Sequence, residues 1–410
     1  MVVLPPPPTT WPQLCRRAAT GAANLRADAA TSGPAREVLR MKACTREAAL
    51  AATALSTVVI LAACGTGTGG DTDGDTTSIG LLMPDATTAR WETQDRPLLE
   101  KKIGELCADC TVQHANAKGD VALQQEQMDS MITKGVDAIV LVALDGRSLG
   151  AAVRDADEAH IPVIAYDRLA EGPIAGYVSF DGEEVGKLQG RALLQAIGAK
   201  VHDGEIVMMN GDPEDPNAVA FKKGALSVLR GRVKIGKEYD TLQWRAETAN
   251  MNMSGAIAAL GVDNINGVYA ANDGLAAGSI AALKANKVHP LPPVTGQDAE
   301  LGAVRRIVAG DQYMTVLKPF RPEASAAAAM AVAAARGDSL ARVAKDEAGA
   351  GTGKETVRTS TGKEVPAVLL APVSVTVGTI EDTLVKSGVY TIQEICVPRL
   401  RTACDRAGLT

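Results

Sequence analysis

Aromatic side chains are scarce in this chain: phenylalanine, tyrosine and tryptophan together make up 3% of its 410 residues. Each ring outside the core therefore calls for an explanation. Histidine is limited to four positions, His114, His160, His202 and His289, and none follows an apolar run of strand length. No serine stands in a nucleophile elbow and no His-Glu-x-x-His pair occurs, so the common constellations of hydrolases and metalloenzymes are missing. Carboxylates alone can act as general acids, but nothing pairs them with a nucleophile. The chain is not an enzyme on this reading, and no cofactor is implied. Positive charge is in deficit too, with a formal net charge of −6, which leaves a nucleic-acid partner without electrostatic support. "GTGKET" at 351–356 fails as a phosphate loop, because Ala348 and Glu355 stand where glycine and a hydroxyl residue are needed. It reads as part of a polar surface hairpin.

What is present is ordinary globular material, 46% hydrophobic and 22% charged, enough for two cores. The start of the chain is different. Residues 1–40 read as a mis-annotated upstream extension. From Met41, Lys42 and Arg46 give a basic start, Ala48 to Ala63 carries no charge, and "LAAC" closes at Cys64. This is the pattern of a secretory signal, residues 41–63, ending in a bacterial lipobox. The run is short of the roughly 20 residues a membrane span needs. Cys64 is then lipidated and anchors the chain to the outer face of the cytoplasmic membrane, and the Gly-rich stretch 64–77 is a flexible tether. Four cysteines remain beyond it as two close pairs, Cys107 with Cys110 and Cys396 with Cys404. In an oxidising compartment such spacing favours two local disulfides. A zinc or redox reading of Cys107-Ala-Asp-Cys110 lacks a second ligand pair, with only His114 nearby.

From Ser78 onward strands and helices alternate. Apolar runs at 78–83, 137–143, 162–166, 205–209, 265–270 and 313–317, with shorter ones at 111–116, 177–180 and 293–296, are separated by helical patterns. Asp120 caps one helix and Gly135 stops it. Such alternation predicts βαβ units and parallel sheets, and the length suits two doubly wound α/β lobes. In open sheets of this kind ligands bind beyond the carboxyl ends of the strands. Those ends carry Arg90 and Trp91, Asp145, Asp167 and Arg168, Asp215 and Asn217, Asn272 and Asp273, Gln297 and Asp298, and Lys318. Carboxylates, amides and cations in this mixture match the donors and acceptors of a polyol. Trp91 and Trp244 offer apolar faces for its C–H groups. Several of these acids and amides could equally be helix caps.

Six stretches in order, "RWETQD" (90–95), "AYDR" (165–168), "YVSFDGEEVGKLQG" (177–190), "AANDGLAAGSIAAL" (270–283), "GQDAEL" (296–301) and "VLKP" (316–319), resemble the periplasmic D-xylose-binding proteins. These are sugar-binding components of ABC importers, of the ribose/galactose-binding type, and the resemblance runs from Ser78 to Val389. It implies a type I periplasmic binding protein fold, with two lobes joined by a multi-strand hinge that close on sugar. It places sugar contacts on Arg90, Trp91, Asp167, Arg168, Asp215, Asn217, Trp244, Asn272, Asp298 and Lys318. Asp145, where relatives often carry Asn, joins the set with that contact open. The first lobe is expected over 78–183 and 320–348, the second over 184–319 and 365–395, with a C-terminal tail at 396–410. The partners implied are a monosaccharide, D-xylose first, an ABC permease and through it an ATPase; the chain is a monomer. Glucose, arabinose or a sugar acid, or a receptor role toward a membrane sensor, stay open. A sugar-responsive transcription factor shares the fold, but a lipobox and linker stand where its DNA-binding helices belong.

Overall fold

The computed structural model describes residues 76–347 and 355–409. The signal segment, Cys64 and most of the tether lie outside the described residues. Strand β1 (Ser78–Met83) leads through one wide turn, Trp91–Asp95, into helix α1 (Arg96–Leu106). Next come β2 (Thr111–Asn116), α2 (Val121–Lys134), β3 (Ala138–Leu141), α3 (Gly150–Glu158), β4 (Val163–Tyr166) and β5 (Gly176–Phe180). The chain continues with α4 (Gly182–Ile197), β6 (Glu205–Asn210), α5 (Pro216–Leu229), β7 (Lys234–Asp240), α6 (Ala246–Leu260), β8 (Ile265–Ala270) and α7 (Asp273–Ala285). It then forms α8 (Leu301–Ala309), β9 (Met314–Leu317), α9 (Phe320–Ala335), α10 (Leu340–Glu347), β10 (Thr356–Arg358), β11 (Glu364–Leu370) and β12 (Val373–Thr376). Two short helices, α11 (Ile392–Ile395) and α12 (Arg401–Arg406), end it.

Two sheets organise these elements. The first has the strand order β10-β11-β5-β4-β3-β1-β2 and is parallel except at β10. Its inner strands β3 and β4 are buried at every residue, which is why they read as unbroken apolar runs. The second sheet centres on β6 between β7 and β8. The expected strand at 293–296 forms only a bridge, Val294 to Val268. It still extends the layer, because Tyr313 N donates to Val294 O at 2.9 Å and Asp298 N to Val316 O at 2.9 Å. Beyond it β9 pairs with β12 antiparallel.

The chain passes between the two layers three times, after β5, after β9 and after β11. The last crossing corrects the sequence expectation. Residues 365–370, expected in the second lobe, belong to β11 beside β5 in the first sheet; the chain crosses only at 371–372. Sequence order alone does not say which sheet an apolar strand joins, and Val368 and Leu370 complete the core of Val178 and Phe180. The tail is also more than an appendage: Cys404 and Leu409 are buried with Ile307 and Ile395. Both expected disulfides, Cys107–Cys110 and Cys396–Cys404, are formed. The hairpin reading holds for β10 and β11; residues 348–354 lie outside the described ones. Helix α9 was not expected as a helix. Ala324, Ala326, Ala327, Ala328 and Ala331 are at most 1% exposed, so alanine makes up much of the buried face, joined by Met330, which reaches Gly176 of β5. Among the described residues no helix is long and apolar enough to cross a membrane.

Candidate functional site

The carboxyl ends of the strands meet in one enclosed cleft. Its walls are Thr88, Trp91, Asp167, Arg168, Asp215, Asn217, Phe221, Trp244, Asn272, Gln297, Asp298 and Lys318. The cavity volume is only about 20 Å³. That is room for about one water, far below the roughly 300–1,000 Å³ of drug-sized pockets, so in this structure the polar walls stand almost in contact and must part for a larger molecule to enter. A larger groove of about 510 Å³ beside Leu98, Leu317, Phe320 and Val389 is mainly apolar, with Gln94, Arg321, Thr383 and Ser387 as its polar side chains and no carboxylate on its walls.

Asp167 is at the centre. Strand β4 ends at Tyr166, and Asp167 turns into the left-handed region with φ of 58°, a conformation in which Asp is among the few residues tolerated. Its backbone is fixed from β5: its N donates to Val178 O at 2.8 Å, and its O accepts from Ser179 Oγ at 2.6 Å and Tyr177 Oη at 3.1 Å. Its carboxylate Oδ2 accepts from Lys318 Nζ at 2.7 Å and Arg90 Nη1 at 2.9 Å, and Oδ1 from Asn217 Nδ2 at 2.7 Å. Burial alone would raise this carboxyl; Lys318 and then Arg90 outweigh it and hold the group below the usual carboxylate range. Oδ1 carries one bond, which leaves it a lone pair for a hydroxyl donor.

The second lobe presents its groups from helix starts. Asp215 caps α5, accepting from Asn217 N at 2.9 Å through Oδ1. Its Oδ2 meets Arg168 Nε at 2.8 Å and Trp244 Nε1 at 3.1 Å. Asn272 caps α7, accepting from Leu275 N at 2.9 Å. Cap and cavity wall are thus the same residue twice over. Trp244 lies edge-on to Phe221, ring centres 6.5 Å apart. A Cβ at residue 211 would overlap its indole, so glycine there makes the ring position possible. Asp298, at φ 98°, bonds Gln297 and stands 3.6 Å from Arg90 and 3.8 Å from Lys318. Burial raises its carboxyl against the opposing pull of Lys318 and Arg90, and Asp215 is raised in the same way, with Arg168 opposing. The walls hold three carboxylates (Asp167, Asp215, Asp298) against two cations (Arg168, Lys318). Such a surface suits a neutral, hydroxyl-rich molecule better than an anion.

Two expected contacts sit elsewhere. Asp145 is not on the cleft wall. It caps the turn before α3, accepting from Arg147 N at 2.8 Å and from the Ser148 backbone and hydroxyl, and lines a separate groove with Arg147 and Glu171. The short Asp-x-x-Ser loop satisfies it locally. Arg90 is behind the wall, 2% exposed, joined to Asp95, Asp167 and Glu323. Conversely Thr88 and Phe221 line the cleft without having been named, and Gln297, named as a strand-end residue, is outside the contact set the resemblance implied. Gln297 follows the 293–296 run and Phe221 is one of only three phenylalanines, so both carried a signal; Thr88 carried none. Among the described residues no group of three or more His, Cys, Asp or Glu side chains is arranged to hold a metal ion.

Against this geometry stand the comparisons. A family profile described as "Periplasmic binding protein domain" matches residues 79–339. The "D-xylose-binding periplasmic protein" of Escherichia coli (strain K12) is 35% identical over 323 residues, 77% of this chain and 92% of that protein. A "multiple sugar-binding periplasmic receptor" of Rhizobium radiobacter is 32% identical, covering 78% of this chain and 93% of its own. The crystal structure of an ABC transporter solute binding protein from Clostridium phytofermentans with bound β-D-glucose superposes with a TM-score of 0.70 at 29% identity, over 78% of this chain and 100% of that one.

Proposed function

Because the chain belongs to the periplasmic binding protein family, we propose that it captures a monosaccharide between its two lobes and delivers it to an ABC importer. It is a binding protein and not an enzyme. The observation that carries the reading is the composition of one small cleft: two tryptophans on opposing lobes, with paired acids, amides and cations between them. Trp91 and Trp244 supply apolar faces to the ring's C–H groups. Asp167, Asp215 and Asp298 accept hydroxyl protons, Arg168 and Lys318 donate to ring and hydroxyl oxygens, and Asn217 and Asn272 do both. D-xylose is the leading sugar, on the strength of the 35% relative. Glucose is the second reading, favoured by the glucose-bound structure at 29% identity. The sugar passes to a permease driven by its ATPase. Export through the segment 41–63 and a lipid on Cys64 keep the monomeric protein at the outer membrane face near that permease.

Calorimetric titration of the chain with D-xylose, D-glucose, D-ribose, L-arabinose, D-galactose and D-galacturonate tests this. One-to-one binding of a neutral sugar, with none consumed, is the expected result. Silence across the panel would overturn the reading.

A further inference from the structure

The crossing from β9 into α9 brings three residues against the Asp167–Arg90 pair, of which Lys318 alone is on the cleft wall. Lys318 bonds Asp167 at 2.7 Å. Phe320 stacks its ring 4.4 Å from the Arg90 guanidinium, whose other neighbour is the Trp91 ring, also at 4.4 Å. Glu323, in the first turn of α9, accepts from Arg90 Nη2 at 2.7 Å. Arg90 has five N–H groups, and carboxylates occupy four of them: Asp95 takes Nε at 2.8 Å and Nη2 at 2.6 Å, Glu323 the second Nη2 hydrogen, and Asp167 one on Nη1 at 2.9 Å. Asp298 stands 3.6 Å from Nη1. Arg90 is therefore committed to the protein, and what it does for the cleft it does by fixing Asp167 and the plane of Trp91.

Glu323 is the one member of this set that comes from the crossing itself. It is 0% exposed, and its Oε1 has no hydrogen-bond partner in the protein. A buried carboxylate oxygen without a partner is costly, so simple helix stability does not account for glutamate at this position. We propose that Glu323 is a positioning residue for ligand binding, which ties the β9–α9 crossing to the cleft by holding Arg90 against Asp167 and Trp91. The inference rests on the cleft being the sugar site. Lys318, Phe320 and Glu323 lie within six residues, so any displacement of the crossing moves all three grips on the Asp167–Arg90 pair together. The register of the crossing and the geometry of the cleft are then set by one another.

The test uses the full chain and the tightest-binding sugar of the panel above, D-xylose first. Dissociation constants are measured for wild type, Glu323→Ala, Glu323→Asp and Glu323→Gln at a temperature where each is folded. Outer hydrogen-bond partners of metal ligands are worth about 10- to 100-fold in metal affinity when removed, and the same order is expected for a carboxylate that positions a sugar contact. Alanine is expected to weaken binding by about that factor, and aspartate, one methylene short of Arg90, by roughly tenfold. Glutamine, whose amide oxygen still accepts from Nη2, is expected to stay within about threefold of wild type. Where alanine fails to fold, aspartate and glutamine decide. Variants that melt earlier yet bind as tightly as wild type would overturn the proposal, because a purely structural role moves stability alone. Glutamine falling with alanine would overturn it as well. Wild type silent on every sugar would instead defeat the sugar reading and this inference with it; binding by wild type with aspartate and alanine unaffected defeats the inference alone.

Discussion

Arg90 and Arg168 are both buried beside Trp91, their guanidinium carbons 4.4 Å and 5.5 Å from its ring centre. Around Arg90 stand Asp95, Asp167 and Glu323 within 3 Å. Around Arg168 stand one carboxylate, Asp215 at 2.8 Å, and one carbonyl, Ala143 O at 3.4 Å. Only Arg168 is on the cleft wall. Burial weakens both cations, and in both cases the surrounding acids more than compensate. The difference is in what is left over. Arg90 has spent four of its five donors on the protein, so it organises; Arg168 keeps donors on the cavity side, which fits it for the contact proposed above. Two arginines that look interchangeable as strand-end residues divide the work of rigidity and contact.

The sharpest way to break that division is at the acid that touches both its sides. Asp167→Ala removes the acceptor shared by Arg90, Lys318 and Asn217. Losing one partner of a buried charged network costs about 2–5 kcal/mol, so sugar affinity should fall by at least about 30-fold by calorimetry. Next come the arginines themselves. Arg90→Ala leaves Asp95 and Glu323 buried without their cation, Asp167 keeping Lys318, and should cost about 3–5 kcal/mol of folding stability by denaturant titration. Arg168→Ala should cost less stability but about 2 kcal/mol of binding. If Arg168→Ala proves the more unfolded of the two, the division fails.

A smaller effect concerns pH. Burial first, and the Asp298 carboxylate second, push Glu300 up to about 7. A carboxyl raised in the folded state binds its proton more tightly there than in the unfolded chain, so its contribution is fully present below about pH 4.3 and is lost as pH rises toward 7. Glu300→Gln should therefore raise the melting temperature at pH 8 and leave it unchanged at pH 4. Equal gains at both would contradict the assignment. The smallest effect expected is at Asp145. With its acceptors turned to Arg147 and Ser148, alanine there should change affinity by less than about twofold; a larger loss would return it to the site.

Much of the fold was legible because the inner strands of both sheets are buried on both faces and leave unbroken apolar runs. β7, "KIGKEYD", was not, since an edge strand open to solvent carries lysines and acids at most positions. The strand-end rule brought most of the cleft together from sequence, including Asp215 and Asn272, which serve as caps and walls at once. It left Asp145 open, a residue the structure puts at a turn off the cleft wall, because a cap and a contact have the same local signature. It could not find Glu323, which reaches Arg90 across 233 positions of sequence from a helix whose composition announces nothing.

That helix has a consequence for how the chain can change. α9 reads "FRPEASAAAAMAVAAA", the plainest stretch of the molecule. With Ala326, Ala327, Ala328 and Ala331 at 1% exposure or less, each further methylene there has no free volume to enter, and overpacking costs about 1–3 kcal/mol a site. Mutational drift is therefore more restricted along these alanines than along the varied surface helices. The residues with the least chemistry are among those least open to replacement.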